Sequence, residues 1–128
     1  MSEGRRYDGF VPGRYQIDAY GNGGFRFADM SHRGSILVLP SGVRAWPVNS
    51  IAELTDEAFE PVFEEADALE LLLLGTGLDV AGIPSSFRER FREARIGLDV
   101  MQTGAAARTY NILLAENRRV GAALIAVP

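Results

Sequence analysis

Cysteine and lysine are both absent from this chain of 128 residues, and histidine and tryptophan occur once each. Without cysteine there is no disulfide, no thiolate metal site and no cysteine nucleophile, and the redox compartment is left unmarked. Without lysine there is no side-chain Schiff base; all 13 basic residues are arginine. Long apolar stretches are missing too. Leu71–Leu74 and Val120–Val127 fall well short of the roughly 18 residues that a membrane-spanning helix needs. The start, MSEGRRYDGF, has no hydrophobic segment behind its arginines, so neither a membrane span nor a signal peptide is expected. The formal net charge of −4 argues against nucleic acid as a partner, because such binders usually carry a basic face. A soluble, cytoplasmic protein is the expectation.

What is present suits one domain over residues 1–128, with a flexible N-terminus over 1–12. A chain of this length buries roughly two thirds of the surface its unfolded form exposes. Tyr15–Tyr20 and Phe25–Phe27 flank Gly21-Asn22-Gly23-Gly24, residues that tolerate positive φ, and so predict a hairpin. Ser35–Leu39, the turn Pro40-Ser41-Gly42 and Val43–Trp46 predict a second hairpin at a sheet edge. The period then changes. Thr55-Asp56-Glu57 opens a helix that buries Ala58, Val62, Phe63 and Ala66, short or kinked because of Pro61.

Leu69–Leu74 suits a strand covered on both faces. Ser85 or Ser86 caps a helix over about 87–96 that buries Phe87, Phe91 and Ala94. Leu98–Met101 is the next strand, Thr103 caps a helix to about Glu116, Asn117 ends it in a left-handed conformation, and Val120–Val127 is the last strand. This β-α-β-α-β half, preceded by hairpins, predicts a three-layer α/β domain with a mixed sheet. One face should carry helices and the other be partly covered by the N-terminal hairpin.

In such sheets ligands gather outside the carboxyl ends of strands. Gly75, Thr76 and Gly77 follow one strand and Gln102, Thr103 and Gly104 follow the next. If the strands are neighbours, both turns face one crevice, with the last helix's N–H groups and Arg108 forming a seat for a small anion. Thr109 and Asn111 either line this crevice or fasten a neighbouring loop. The glycines do not make a dinucleotide fingerprint or a phosphate loop. The alternative is that they only let the chain leave a buried strand.

No catalytic residue, metal ligand set or cofactor is predicted. His32 stands alone in a polar connection, Asp29–Gly34, and reads as a surface loop residue. Ser31 beside it lacks a base, and the hydrolase motif G-x-S-x-G is absent. Arg88, Arg92 and Arg95 share one helix face at i, i+4 and i+7, as a solvated surface or a docking face.

The succession GGFRFADMSHRGSILVLPSGVRAW, LTDEAFEPV, ELLLLGTG and GLDVMQTGAAARTYNILLAENRRVGAALI resembles the family of the mitochondrial complex I (NADH:ubiquinone oxidoreductase) assembly factor 3. That family includes uncharacterised bacterial proteins and the adipogenesis-associated Mth-domain protein. The resemblance spans nearly the whole chain and rests on the order and spacing of the segments. It implies an Mth-like three-layer fold, no established enzymatic activity, and an accessory role with a protein partner in building complex I. The family's glycine turn falls on Gly75, Thr76 and Gly77, and its helix-start signature on Met101, Thr103, Ala106, Thr109 and Asn111. Where many relatives have a glycine after this helix, Asn117 stands here. No mitochondrial transit segment is read, so a bacterial homologue is expected.

Overall fold

Positive-φ turns shape the first part of the structure, a computed structural model that describes residues 9–128. Strand β1 (Phe10–Pro12) comes first, then β2 (Ala19–Gly21) and β3 (Gly24–Phe27). Asn22 and Gly23 join the latter two at φ 54° and 80°. Two left-handed residues give the turn whose twist matches paired strands, and Asn-Gly favours it most. The device recurs where nothing in the sequence announces it: Ala28 and Asp29, at φ 52° and 60°, connect β3 to β4 (Met30–Arg33). The expected polar connection over 29–34 is therefore mostly a strand, the third of a small antiparallel sheet ordered β2-β3-β4. His32 lies on it and is 9% exposed, not a surface loop residue.

The second hairpin is β5 (Ile36–Leu39) and β6 (Gly42–Ala45). It is not at an edge, because β1 pairs antiparallel with β6 on its outer side. Phe10–Pro12, expected as part of a flexible N-terminus, is thus the edge strand; the remainder of that expectation, residues 1–8, lies outside the described residues. Thr55 Oγ1 accepts the Ala58 N–H at 3.2 Å and starts a 3₁₀ turn over Glu57–Phe59, followed by helix α1 (Glu60–Glu64). Pro61 sits in the first turn of α1, where its missing N–H has no helical partner to lose.

The second half alternates β7 (Leu71–Gly75), α2 (Ser85–Glu93), β8 (Gly97–Met101), α3 (Thr103–Ala115) and β9 (Val120–Leu124). The main sheet has the order β1-β6-β5-β9-β7-β8, with β7 parallel to both neighbours and β5 antiparallel to β9. From β7 the chain steps outward to β8 and then back past β7 to β9. Right-handed crossovers in opposite directions put their helices on opposite faces. Accordingly α2 and the 51–68 segment cover Leu37, Leu39, Leu72 and Leu74, with Phe59, Phe87 and Phe91 packed edge to face. The other face carries α3 and the small sheet, burying Phe25, Phe27, Val38, Leu73, Ala106 and Tyr110. Alternate leucines of β7 thus feed both cores, which is why the strand is apolar throughout. The layering differs from expectation in one respect: α3 shares its face with the hairpin region instead of joining the other helices.

Helix ends depart from the serine and threonine caps read in the sequence. Pro84 and Gln102 hold the cap positions of α2 and α3, while Ser85 and Thr103 are already helical and cap nothing. Helix α2 stops at Glu93, short of Ile96, because Arg95 turns left-handed at φ 62°. Its N–H donates to the Arg92 carbonyl and that of Ile96 to the Phe91 carbonyl, the bond pair of a Schellman ending. Asn117 ends α3 in the same way at φ 61°, with Arg118 N–H donating to the Leu113 carbonyl.

Candidate functional site

Because β7 leads to a helix on one face and β8 to a helix on the other, their carboxyl ends define a topological switch point. The two strands are paired in register, Gly75 opposite Met101, so the turns after them do meet. They meet by bonding to each other. Thr76 N–H donates to the Met101 carbonyl at 2.9 Å and Thr103 N–H to the Gly77 carbonyl at 2.9 Å. Thr103 Oγ1 accepts the Gly77 N–H at 3.0 Å and donates to the Ile125 carbonyl at 2.7 Å. The Thr76 hydroxyl donates to the Asp79 carbonyl at 2.6 Å and accepts the Ala81 N–H at 3.2 Å, folding the following loop back on itself. Both threonine side chains are buried, Thr103 completely.

The glycines have separate reasons. A Cβ on Gly75 would stand 2.9 Å from the Thr103 Cα, so its absence lets α3 begin directly against the sheet. Gly77 has φ 111° with open space around it, a conformational requirement alone.

A groove of about 340 Å³ opens beside this junction, between α3 and the chain entering the small sheet; Gly104, Arg108, Asn111, Asp18 and Tyr20 line it. Of the residues read from the sequence, Gly104, Arg108 and Asn111 share this groove. Gly75, Thr76, Gly77, Gln102, Thr103 and Thr109 do not line it. Asn111 is committed to the backbone of Ile17, accepting its N–H and donating to its carbonyl, both at 2.8 Å. Thr109 points its hydroxyl at the Met101 sulfur, 3.8 Å away, and Gln102 is exposed. Arg108 is exposed too. Sequence reasoning missed Asp18 and Tyr20, which come from the hairpin. The one available signal was Gly104, whose missing Cβ would lie 2.2 Å from the Tyr20 hydroxyl.

On the opposite face, Arg88 and Arg92 project from α2, and Arg95 lies beyond its end in the left-handed turn. All three are exposed, and Arg92 pairs with Glu89. The i, i+7 relation therefore fails for Arg95, which no longer continues the helix.

Groups with shifted protonation are tied into the framework. Burial lowers the pKa of His32, partly countered by its ring nitrogen's contact with the Ser35 carbonyl at 3.2 Å. Burial pushes the Tyr110 phenol up to about 12, and its hydroxyl donates to the Tyr15 carbonyl at 3.3 Å. The Arg118 guanidinium, with the Arg119 N–H, holds the Glu70 carboxyl below its ordinary range. Among the described residues no three His, Asp or Glu side chains converge where a metal ion could be held.

Fold and junction together define a mixed α/β domain of the Mth938-like class. A Bordetella pertussis protein described as a Mth938-like domain superposes with a TM-score of 0.77 at 29% identity, over 88% of this chain and 85% of that one. The crystal structure of a protein from Bartonella henselae, described as an outer membrane protein, superposes at 0.88 with 53% identity, over 91% and 98%. The chain belongs to the family described as protein of unknown function DUF498/DUF598, whose model matches residues 17–125. An uncharacterized protein of Rhodobacter capsulatus is 37% identical over 96% of this chain and 93% of its own length. The NADH dehydrogenase (ubiquinone) 1 alpha subcomplex assembly factor 3 of Rattus norvegicus is 31% identical over 91% of this chain, which spans 63% of that protein.

Proposed function

We propose that this protein is a non-catalytic accessory protein that acts by binding another protein during assembly of a respiratory membrane complex of the NADH dehydrogenase type. The similarity to assembly factor 3, 31% identity over 117 residues, carries this reading. The bonding of the shifted groups agrees with it: His32, Glu70 and Tyr110 are spent on backbone carbonyls and an ion pair. The surface assigned to the partner is the exposed arginine face of α2, Arg88 and Arg92, continued by Arg95. Deleting the gene should lower the level of assembled respiratory complex, measured on native gels, and Arg88→Glu with Arg92→Glu should fail to restore it. Unchanged complex levels in the deletion strain would overturn the assignment.

The proposal includes a cytoplasmic location. No helix among the described residues is long and apolar enough to cross a membrane, while the Bartonella neighbour is described as an outer membrane protein. Cell fractionation with an antibody against the full chain decides the point; recovery in the soluble fraction is expected.

A second reading, a small-molecule or anion-binding protein, is favoured by the groove beside Gly104 and Arg108. It requires that Arg108→Ala abolish binding of a ligand by a protein that remains folded.

A further inference from the structure

We propose that the outward face of the three-stranded sheet is a binding site for a phosphate ester, gripped between Arg26 and Arg33. The register places Ala19, Arg26 and Ser31 in one cross-strand row and Gly21, Gly24 and Arg33 in the next. Side chains alternate across a sheet. Phe25 and Phe27 point into the core, so these two rows point away from it. Four of the six positions are glycine, alanine or serine, which leaves a low floor between two long cationic side chains. The result is a cup of about 430 Å³, lined by Gly21, Asn22, Gly24, Arg26, Ser31 and Arg33 among others.

Arg26 and Arg33 are diagonal neighbours. Such positions lie roughly 7–8 Å apart, within reach of long side chains, so both guanidiniums can bond one anion. Arg26 is held over the floor by donating from Nη1 to Ser31 Oγ at 2.9 Å. Arg33 extends over the turn, its Nη1 3.9 Å from where a Cβ on Gly23 would be. Among the described residues neither forms an ion pair, whereas Arg90, Arg92 and Arg118 each hold a carboxylate. Two like charges set diagonally without a counter-ion repel each other, and an oxyanion between them removes that cost. Guanidinium forks match phosphate oxygens bidentately. A cup larger than a lone phosphate group selects an ester of it, as found in a soluble phosphorylated compound or a lipid headgroup.

The test is a titration of the full-length protein, followed by two-dimensional amide NMR at constant ionic strength, with glycerol phosphate. Phosphatidylglycerol vesicles, against phosphatidylcholine vesicles, form the second arm. Saturable changes at Gly21, Gly24, Arg26, Ser31 and Arg33 are expected, weakened by about tenfold in Arg26→Gln and in Arg33→Gln. Both arginines are exposed, so the variants should keep a native spectrum. A response to glycerol phosphate identifies the ligand source as soluble; a response to phosphatidylglycerol alone identifies it as a headgroup. No saturable change in either arm, equal affinity in the double variant, or changes confined to Thr103–Arg108 would overturn the site.

Discussion

Thr103 joins three parts of the backbone with one hydroxyl, bonding Gly77 N–H and the Ile125 carbonyl from a fully buried position. Valine in its place keeps the shape but leaves the buried Ile125 carbonyl without a partner, at about 1–3 kcal/mol, and frees the half-buried Gly77 N–H at a smaller cost. Thr103→Val should therefore lose about 2–3 kcal/mol in urea unfolding, and Thr103→Ser, which retains the hydroxyl, much less. The same residue explains how far the site was legible. Convergence of the two turns follows from strand ends and neighbour rules, but the choice between an open crevice and a stitched junction depends on where one rotamer points. His32 carries a pH signature at the same scale. Its folded-state pKa lies below the ordinary 6.5, so the unfolded chain binds the proton more readily. The stability that neutral His32 confers is complete above pH 6.5 and is lost as pH falls from there through the folded-state value. His32→Gln should flatten the unfolding free energy over that interval. Glu70, lowered from 4.5, acts only below that value, so the upper part of the His32 interval is free of it.

At the scale of elements, turn chemistry separates what could be read from what could not. The β2–β3 hairpin was legible because Asn22-Gly23 advertises its left-handed pair, and the end of α3 because asparagine tolerates the same region. Strand β4 and the end of α2 were not, since Ala28 and Arg95 adopt that conformation without glycine or asparagine. Long-range pairing overrides their local preference. Left-handed backbone costs an ordinary L-residue roughly 1–2 kcal/mol, and part of that is recoverable. Ala28→Asn and Arg95→Gly should each stabilise the protein by about 0.5–1 kcal/mol, seen as a higher Tm. A loss on Ala28→Asn would mean that the alanine methyl, half-buried against the core of the hairpin face, matters more than its backbone strain.

For the whole molecule, the two faces of the sheet divide the candidate surfaces. The α2 face presents Arg88 and Arg92; the other presents the groove at Arg108 and the cup at Arg26 and Arg33. Charge reversal at Arg88 and Arg92 removes the exposed Glu89–Arg92 pair, worth about 0–1 kcal/mol, and sets like charges at i, i+3 and i, i+4 on α2, costing about 0.2–0.5 kcal/mol each. The variant should unfold at nearly the wild-type midpoint while losing a partner that docks there, as read by co-purification with tagged protein from the native host.

Most of the elements, β1 and β4 excepted, and their order are written in the sequence. Apolar periodicity, the glycine turns and the all-leucine strand are local signals, set by side-chain alternation and backbone sterics over a few residues. Tertiary contacts alone set that β1 closes the edge, that α3 lies with the small sheet, that Tyr20 packs on Gly104, and that Arg26 and Arg33 face outward together. Those outcomes depend on strand register and crossover hand, which bring residues many positions apart into contact; a glycine such as Gly104 can mark a close approach but not the residue that makes it.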